Sequence, residues 1–171
     1  MILIHTALLC EAQTFIEVLK LKKTNSIPKI YSNEKYIVLI GGVGKENTLN
    51  SLEYIFKNYK LSKAINIGVA GTSDKSIEIG ELFCCNTELK DIKCLPLKTV
   101  DKPQEKGDIY NNYLYDMEGK YFLEICYNYL DENNILIFKV VSDYLCLDIL
   151  PKDFIKRLIK EISPKIIKNF I

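Results

Sequence analysis

Asp116-Met117-Glu118-Gly119, a helix-length segment, and then Ile135-Leu136-Ile137-Phe138-Lys139-Val140-Val141-Ser142-Asp143 form the stretch on which the fold turns. Phe122, Ile125, Cys126 and Tyr129 recur at helical spacing, so a helix starts near Glu118 and carries these side chains inward. Residues 135–141 are a buried strand that delivers Ser142 and Asp143 to its carboxyl end. Strands alternating with helices make an α/β sheet. Two carboxylates, Glu118 opening the helix and Asp143 ending the strand, then converge where a small molecule can sit, which makes an enzyme the leading reading.

The same alternation extends upstream. Residues 1–8 are apolar enough for a buried strand, and residues 11–23 shift to helical spacing through Phe15, Ile16, Leu19 and Leu21. Residues 29–32 and 35–40 read as a hairpin about Asn33-Glu34 that runs into Gly41-Gly42-Val43-Gly44-Lys45. Leu49, Leu52, Ile55 and Phe56 then mark an amphipathic helix to about Tyr59. A buried strand over 64–67 ends in Gly68-Val69-Ala70-Gly71-Thr72, and another over 81–87 follows a turn at Gly80. Residues 90–112, with Pro96, Pro103 and Gly107, read as a long loop or short irregular pieces. A last helix begins at Pro151 and carries Phe154, Ile155, Leu158, Ile159 and Ile162, with a kink or break expected at Pro164. With no repeat or linker, residues 1–171 are expected to form one domain.

Composition narrows the function. A hydrophobic fraction of 48% with 26% charged residues is that of an ordinary globular chain rather than a disordered or fibrous one. A net charge of +1, with acids and bases interspersed, gives no footprint for nucleic acid or a membrane surface. No apolar run has membrane-spanning length and no signal peptide precedes the first strand, so the expected address is cytoplasmic. The six cysteines lack C-x-x-C spacing and cannot complete a zinc site with His5 alone; they read as reduced, mostly buried packing residues. His5, in the apolar first strand, reads as structural. No metal or other cofactor is expected.

Gly41 to Lys45 lies between a strand and a helix, where amides and the helix dipole would face an anion or a ribose hydroxyl. It is neither a Walker loop nor a dinucleotide fingerprint, since Glu46 follows Lys45 and Asn47 stands where the third glycine belongs. A tight turn needing positive φ explains it equally well. The other candidates also have plain alternatives: Glu11 as partner of the first helix dipole, Glu118 as a helix cap, Ser142-Asp143 as a turn, and Lys139 as a lysine that snorkels to solvent.

In order, Glu11, Gly42-Val43-Gly44-Lys45, Asn66-Ile67-Gly68-Val69-Ala70-Gly71, Met117-Glu118 and Ser142-Asp143 resemble the nucleoside phosphorylase and nucleosidase superfamily. Methylthioadenosine/S-adenosylhomocysteine nucleosidases are the most similar branch, here in a shortened form. The resemblance implies a compact three-layer fold with a mixed central sheet flanked by helices, a small-molecule nucleoside as ligand, and a homodimer. It implies that Asp143 protonates or hydrogen-bonds N7 of a purine and that Glu11 orients and deprotonates the attacking water. Glu118 would hold ribose hydroxyls and Met117 would pack on the sugar, with Ser142, Gly44, Lys139 and Gly71 completing the substrate site. Asp143 would need to carry a proton near neutrality, which burial at the strand end would favour. Val69 departs from the serine or threonine usual at its position, and the segment between Gly71 and Met117 is short; Tyr110, Tyr113 and Tyr115 are candidates to replace its stacking surface. Hydrolysis is expected over phosphorolysis because Arg157 is the single arginine. A catalytically silent nucleoside-binding protein of the same fold is the remaining alternative.

Overall fold

The computed structural model describes residues 1–108 and 112–171; of the three candidate stacking tyrosines, Tyr110 lies outside them. Among the described residues ten strands form one mixed sheet. Its centre is parallel: β1 (Ile2–Thr6) lies between β4 (Tyr36–Ile40) and β5 (Lys63–Thr72), and β10 (Ile135–Asp143) lies on the other side of β5. The antiparallel hairpin of β3 (Lys29–Ser32) with β4 extends one edge, followed by β2 (Lys22–Lys23). On the other edge β10 pairs antiparallel with β6 (Leu82–Cys84), which pairs with β7 (Lys93–Cys94). The far end of β5 also pairs with β9 (Leu114–Asp116), itself paired with β8 (Leu97–Thr99).

Helices cover both faces, giving the expected three layers. On one face α1 (Leu9–Val18) and α4 (Lys152–Phe170) bury Ala12, Phe15, Ile155, Leu158, Ile159 and Ile162 against Ile4, Ile65 and Phe138. On the other, α2 (Lys45–Asn58) and α3 (Gly119–Cys126) bury Leu52, Ile55, Phe122 and Ile125 against Leu3, Ile37 and Ile137. Strands buried on both sides read as continuous apolar runs, which is why β4 and β10 were legible without alternation. Among the described residues no helix is long and apolar enough to cross a membrane.

Several elements differ from expectation. α1 stops at Val18 because Lys20 adopts positive φ (53°) and residues 22–23 leave for the sheet edge, although Leu19 and Leu21 prolong the helical spacing. The strand expected over 81–87 shortens to β6, where the side chain of Asn86 takes over by bonding the carbonyl and amide groups of β10. α4 runs through Pro164 as one element: proline cannot donate to the Lys160 carbonyl, and the Ser163 hydroxyl bonds that carbonyl instead, at 3.1 Å. The cysteines are all free, but only Cys84 and Cys126 are buried, while Cys94 and Cys146 are exposed on short edge or loop segments.

Candidate active site

A cleft of about 200 Å³ opens at the carboxyl ends of the parallel strands, with Glu11, Gly71, Met117, Glu118, Ser142 and Asp143 all on its wall. Four separate pieces of backbone supply them: the first turn of α1, the end of β5, the β9–α3 junction and the end of β10.

Glu11 is placed by backbone amides. Leu8, at the N-cap of α1, has no side-chain acceptor, and the Glu11 carboxylate reaches back to accept from the amides of Ala7 and Leu8 at 3.0 and 2.9 Å. Its other oxygen accepts from the Val69 amide at 3.1 Å. Glu11 therefore serves as a helix cap and also faces the cleft. Gly68 leaves the necessary space, since a Cβ there would fall 2.9 Å from Glu11 Oε1 and 3.3 Å from Lys139 Nζ. Burial raises the Glu11 pKa, against the opposing pull of Lys139 and the three amides.

Glu118 occupies the N-cap of α3 and accepts the Gly44 amide at 2.8 Å. The glycine turn thus has a partner within the protein: Gly42 and Gly44 take φ of 90° and 85°, as a tight turn requires, and the Gly44 amide is directed at Glu118. Gly44 itself stands behind the cleft wall, where Val43 is the turn's lining residue. Burial pushes Glu118 up to about 7, Lys139 opposing and Asp116 adding to the shift.

Lys139 does not snorkel. It is 2% exposed, and its ammonium pairs with Asp116 Oδ2 at 2.8 Å beneath the cleft floor. Burial disfavours its charge, yet Asp116, Glu118 and Glu11 together hold its pKa above the ordinary lysine value. Asp116 also accepts from the Thr99 hydroxyl at 2.7 Å and the Gly119 amide at 2.8 Å, tying β8, β9, α3 and β10 at one point. The sequence reading missed Asp116; its signal was a carboxylate one residue before Met117, on a strand end near a buried lysine. Beside this cluster His5 is fully buried, receives or donates a 2.8 Å bond at Nδ1 with Asn66, and stacks on Phe122. Burial first, and Lys139 second, lower its pKa to about 3, so it is neutral.

Asp143 is only half-buried, rather than enclosed at the strand end. Its Oδ2 accepts from the Ser142 hydroxyl at 2.6 Å and its Oδ1 from the Cys146 amide at 3.1 Å. A Cβ on Gly71 would lie 2.8 Å from Oδ1, so glycine there keeps the carboxylate free of the wall. Tyr115 lines the cleft and Tyr113 meets it edge to face, with ring centroids 6.4 Å apart. Val69 lines the cleft through an apolar side chain where a hydroxyl was the family expectation. Among the described residues, no lysine or arginine lines the cleft.

This architecture is the fold of solved nucleosidase structures. Solved structures it resembles include S-adenosylhomocysteine nucleosidase from Streptococcus pyogenes in complex with 5-methylthiotubericidin (TM-score 0.80, 14% identity, 99% of this chain and 97% of that one). Others are the 5′-methylthioadenosine/S-adenosylhomocysteine nucleosidase of Campylobacter jejuni (TM-score 0.78, 17% identity, 98% and 96% covered) and the futalosine hydrolase of Helicobacter pylori (TM-score 0.79, 13% identity, 98% and 95% covered). At these identities the likeness is one of fold. No protein-family model matches the chain, and no curated protein sequence matches it.

Proposed function

We propose that this protein hydrolyses the N-glycosidic bond of a purine nucleoside such as methylthioadenosine or S-adenosylhomocysteine. The observation that carries the proposal is that Glu11, Met117, Glu118, Ser142 and Asp143, brought from distant parts of the chain, line one cleft in a nucleosidase-like fold. Breaking the bond leaves positive charge on the ribosyl ring and negative charge on the departing base, so carboxylates are useful at one end and a proton donor at the other. Asp143, oriented by Ser142, donates a proton or hydrogen bond to N7. Glu118 holds the ribose hydroxyls while Met117 packs against the sugar. Glu11, a stronger base for being buried, takes a proton from water as the water oxygen bonds to the anomeric carbon and the C–N bond breaks.

Hydrolysis fits better than phosphorolysis because of the wall's charge. Among the described residues the wall carries acids and no lysine or arginine to hold an anionic co-substrate, while Arg157 stacks on Phe154 in α4 and Lys45 lies over the Tyr121 ring. Incubation with methylthioadenosine, S-adenosylhomocysteine, adenosine, inosine and futalosine, with free base detected and phosphate present or omitted, tests the proposal. Base release indifferent to phosphate is expected; no release from any of them overturns it, and ribose 1-phosphate would mark a phosphorylase. Val69 favours one other reading, a nucleoside-binding protein without turnover, for which ligand binding unchanged by Asp143→Asn and no product from either form would be the signature. A cytoplasmic homodimer completes the proposal, its mass to be read by light scattering.

A further inference from the structure

Residues 100–108 form a loop anchored at both ends beside the cleft. At one end the Val100 amide donates to the Asp116 carbonyl at 2.8 Å. At the other, the Asp108 amide donates to the Tyr115 hydroxyl at 2.6 Å, and the Asp108 carboxylate lies 3.7 Å from Lys98 Nζ. Next to that anchor, Gly107 fits so closely that a Cβ would fall 2.1 Å from Ser73 Oγ and 3.4 Å from a Leu145 methyl. Leu145 in turn approaches the Cβ position of Gly71 to 3.1 Å, the same position that Asp143 Oδ1 approaches to 2.8 Å. The contacts Gly107–Leu145–Gly71–Asp143 therefore set this end of the loop against the Asp143 half of the cleft, while its start is held at Asp116.

From this loop Val100, Pro103 and Gln104 reach the cleft wall. The other polar side chains there are engaged: Ser142 with Asp143, Tyr115 with the Asp108 amide, Glu11 and Glu118 with backbone amides, and Asp116 with Lys139. Gln104 is exposed, and among the described residues its Nε2 makes only a long 3.4 Å bond to the Lys102 carbonyl. A primary amide carries a donor and an acceptor side by side, and the edge of a purine at N1 and C6 presents the complementary pair for either an amino or an oxo substituent. Pro103 beside it and the fixed loop ends reduce the ordering that such a contact costs.

We infer that Gln104 is a specificity-determining residue that reads the N1–C6 edge of the base while Asp143 meets N7. The inference rests on the proposed purine site.

The test compares the full-length protein with its Gln104→Ala variant in two ways. The first is kcat/KM for adenosine-type substrates against the matching purine nucleoside that lacks a C6 substituent; the second is calorimetric binding of free adenine against unsubstituted purine. The parent protein is expected to prefer the C6-substituted compound roughly tenfold in both, and the variant to reduce that preference to near unity, with the loss in KM and with kcat within about twofold. Hydrolysis with a preference unchanged in the variant overturns the inference and leaves the hydrolase reading standing. No hydrolysis, with adenine binding weakened about tenfold in the variant, does the reverse. Neither turnover nor adenine binding overturns both.

Discussion

The two halves of the cleft are built in opposite ways. Around Glu118 the wall is three buried acids over a buried lysine: Glu11, Asp116, Glu118 and, beneath them, Lys139 are exposed by only 3%, 5%, 7% and 2%. Around Asp143 the wall is a strand end, a half-buried carboxylate and two loops, and beyond it Cys146, Leu147 and Ile149 stand in solvent. The first half couples chemistry to stability, because each acid there is also a cap or an ion-pair partner. The second is free to vary without disturbing the core. On the proposed function, the side assigned to the sugar is tied to the core and the side assigned to the base is not.

Lys139→Met should break the contrast most sharply. Removing the cation leaves Asp116 buried without its partner, beside two more acids, and should cost on the order of 3 to 5 kcal/mol in denaturant unfolding. A loss below about 1 kcal/mol would mean that the cluster is not the structural half of the cleft. Asp143→Asn should do the converse. Its stability should stay within about 1 kcal/mol of the parent, while nucleoside hydrolysis falls roughly 10²- to 10⁴-fold in kcat.

Glu118 sharpens the contrast through pH. Its folded pKa of about 7 lies above its ordinary 4.5, so between these values the folded state holds more proton than the unfolded one, and stability falls as pH rises through that window. Glu118→Gln removes the dependence. Relative to the parent it should gain stability from pH 4.5 upward, levelling above pH 7 at about 3 kcal/mol at most, measured as the difference between paired melts. A constant difference across the window would show that Glu118 titrates normally. The smallest effect belongs to Val69→Ser, which places a hydroxyl on the cleft wall and should raise kcat/KM for nucleoside hydrolysis by roughly three- to tenfold with little change in unfolding.

Much of this was legible along the chain, for reasons visible at particular residues. The apolar run ending at Ser142-Asp143 announced a doubly buried strand, and Gly42 and Gly44 announced a turn with positive φ. Where local pattern failed, a nonlocal partner had intervened. Leu19 and Leu21 continue a helical spacing that the backbone abandons at Lys20 for the sheet edge. Pro164 fails to break α4 because its neighbour Ser163 covers the stranded carbonyl and because Ile159, Ile162 and Ile166 stay locked in the core.

The sequence by itself determined the alternation of strands and helices and the identity of the acids, since both follow from hydrophobic spacing and residue chemistry within short windows. Only the tertiary structure decided how those acids are used. It directed the Gly44 amide onto Glu118, sank Lys139 onto Asp116, left Asp143 half-open, and set Gln104 on the cleft wall. Burial and partnership fix a charge's energy, and both depend on groups far apart in the chain, such as Gly44 and Glu118 at a separation of 74 positions, that meet only when the sheet has formed.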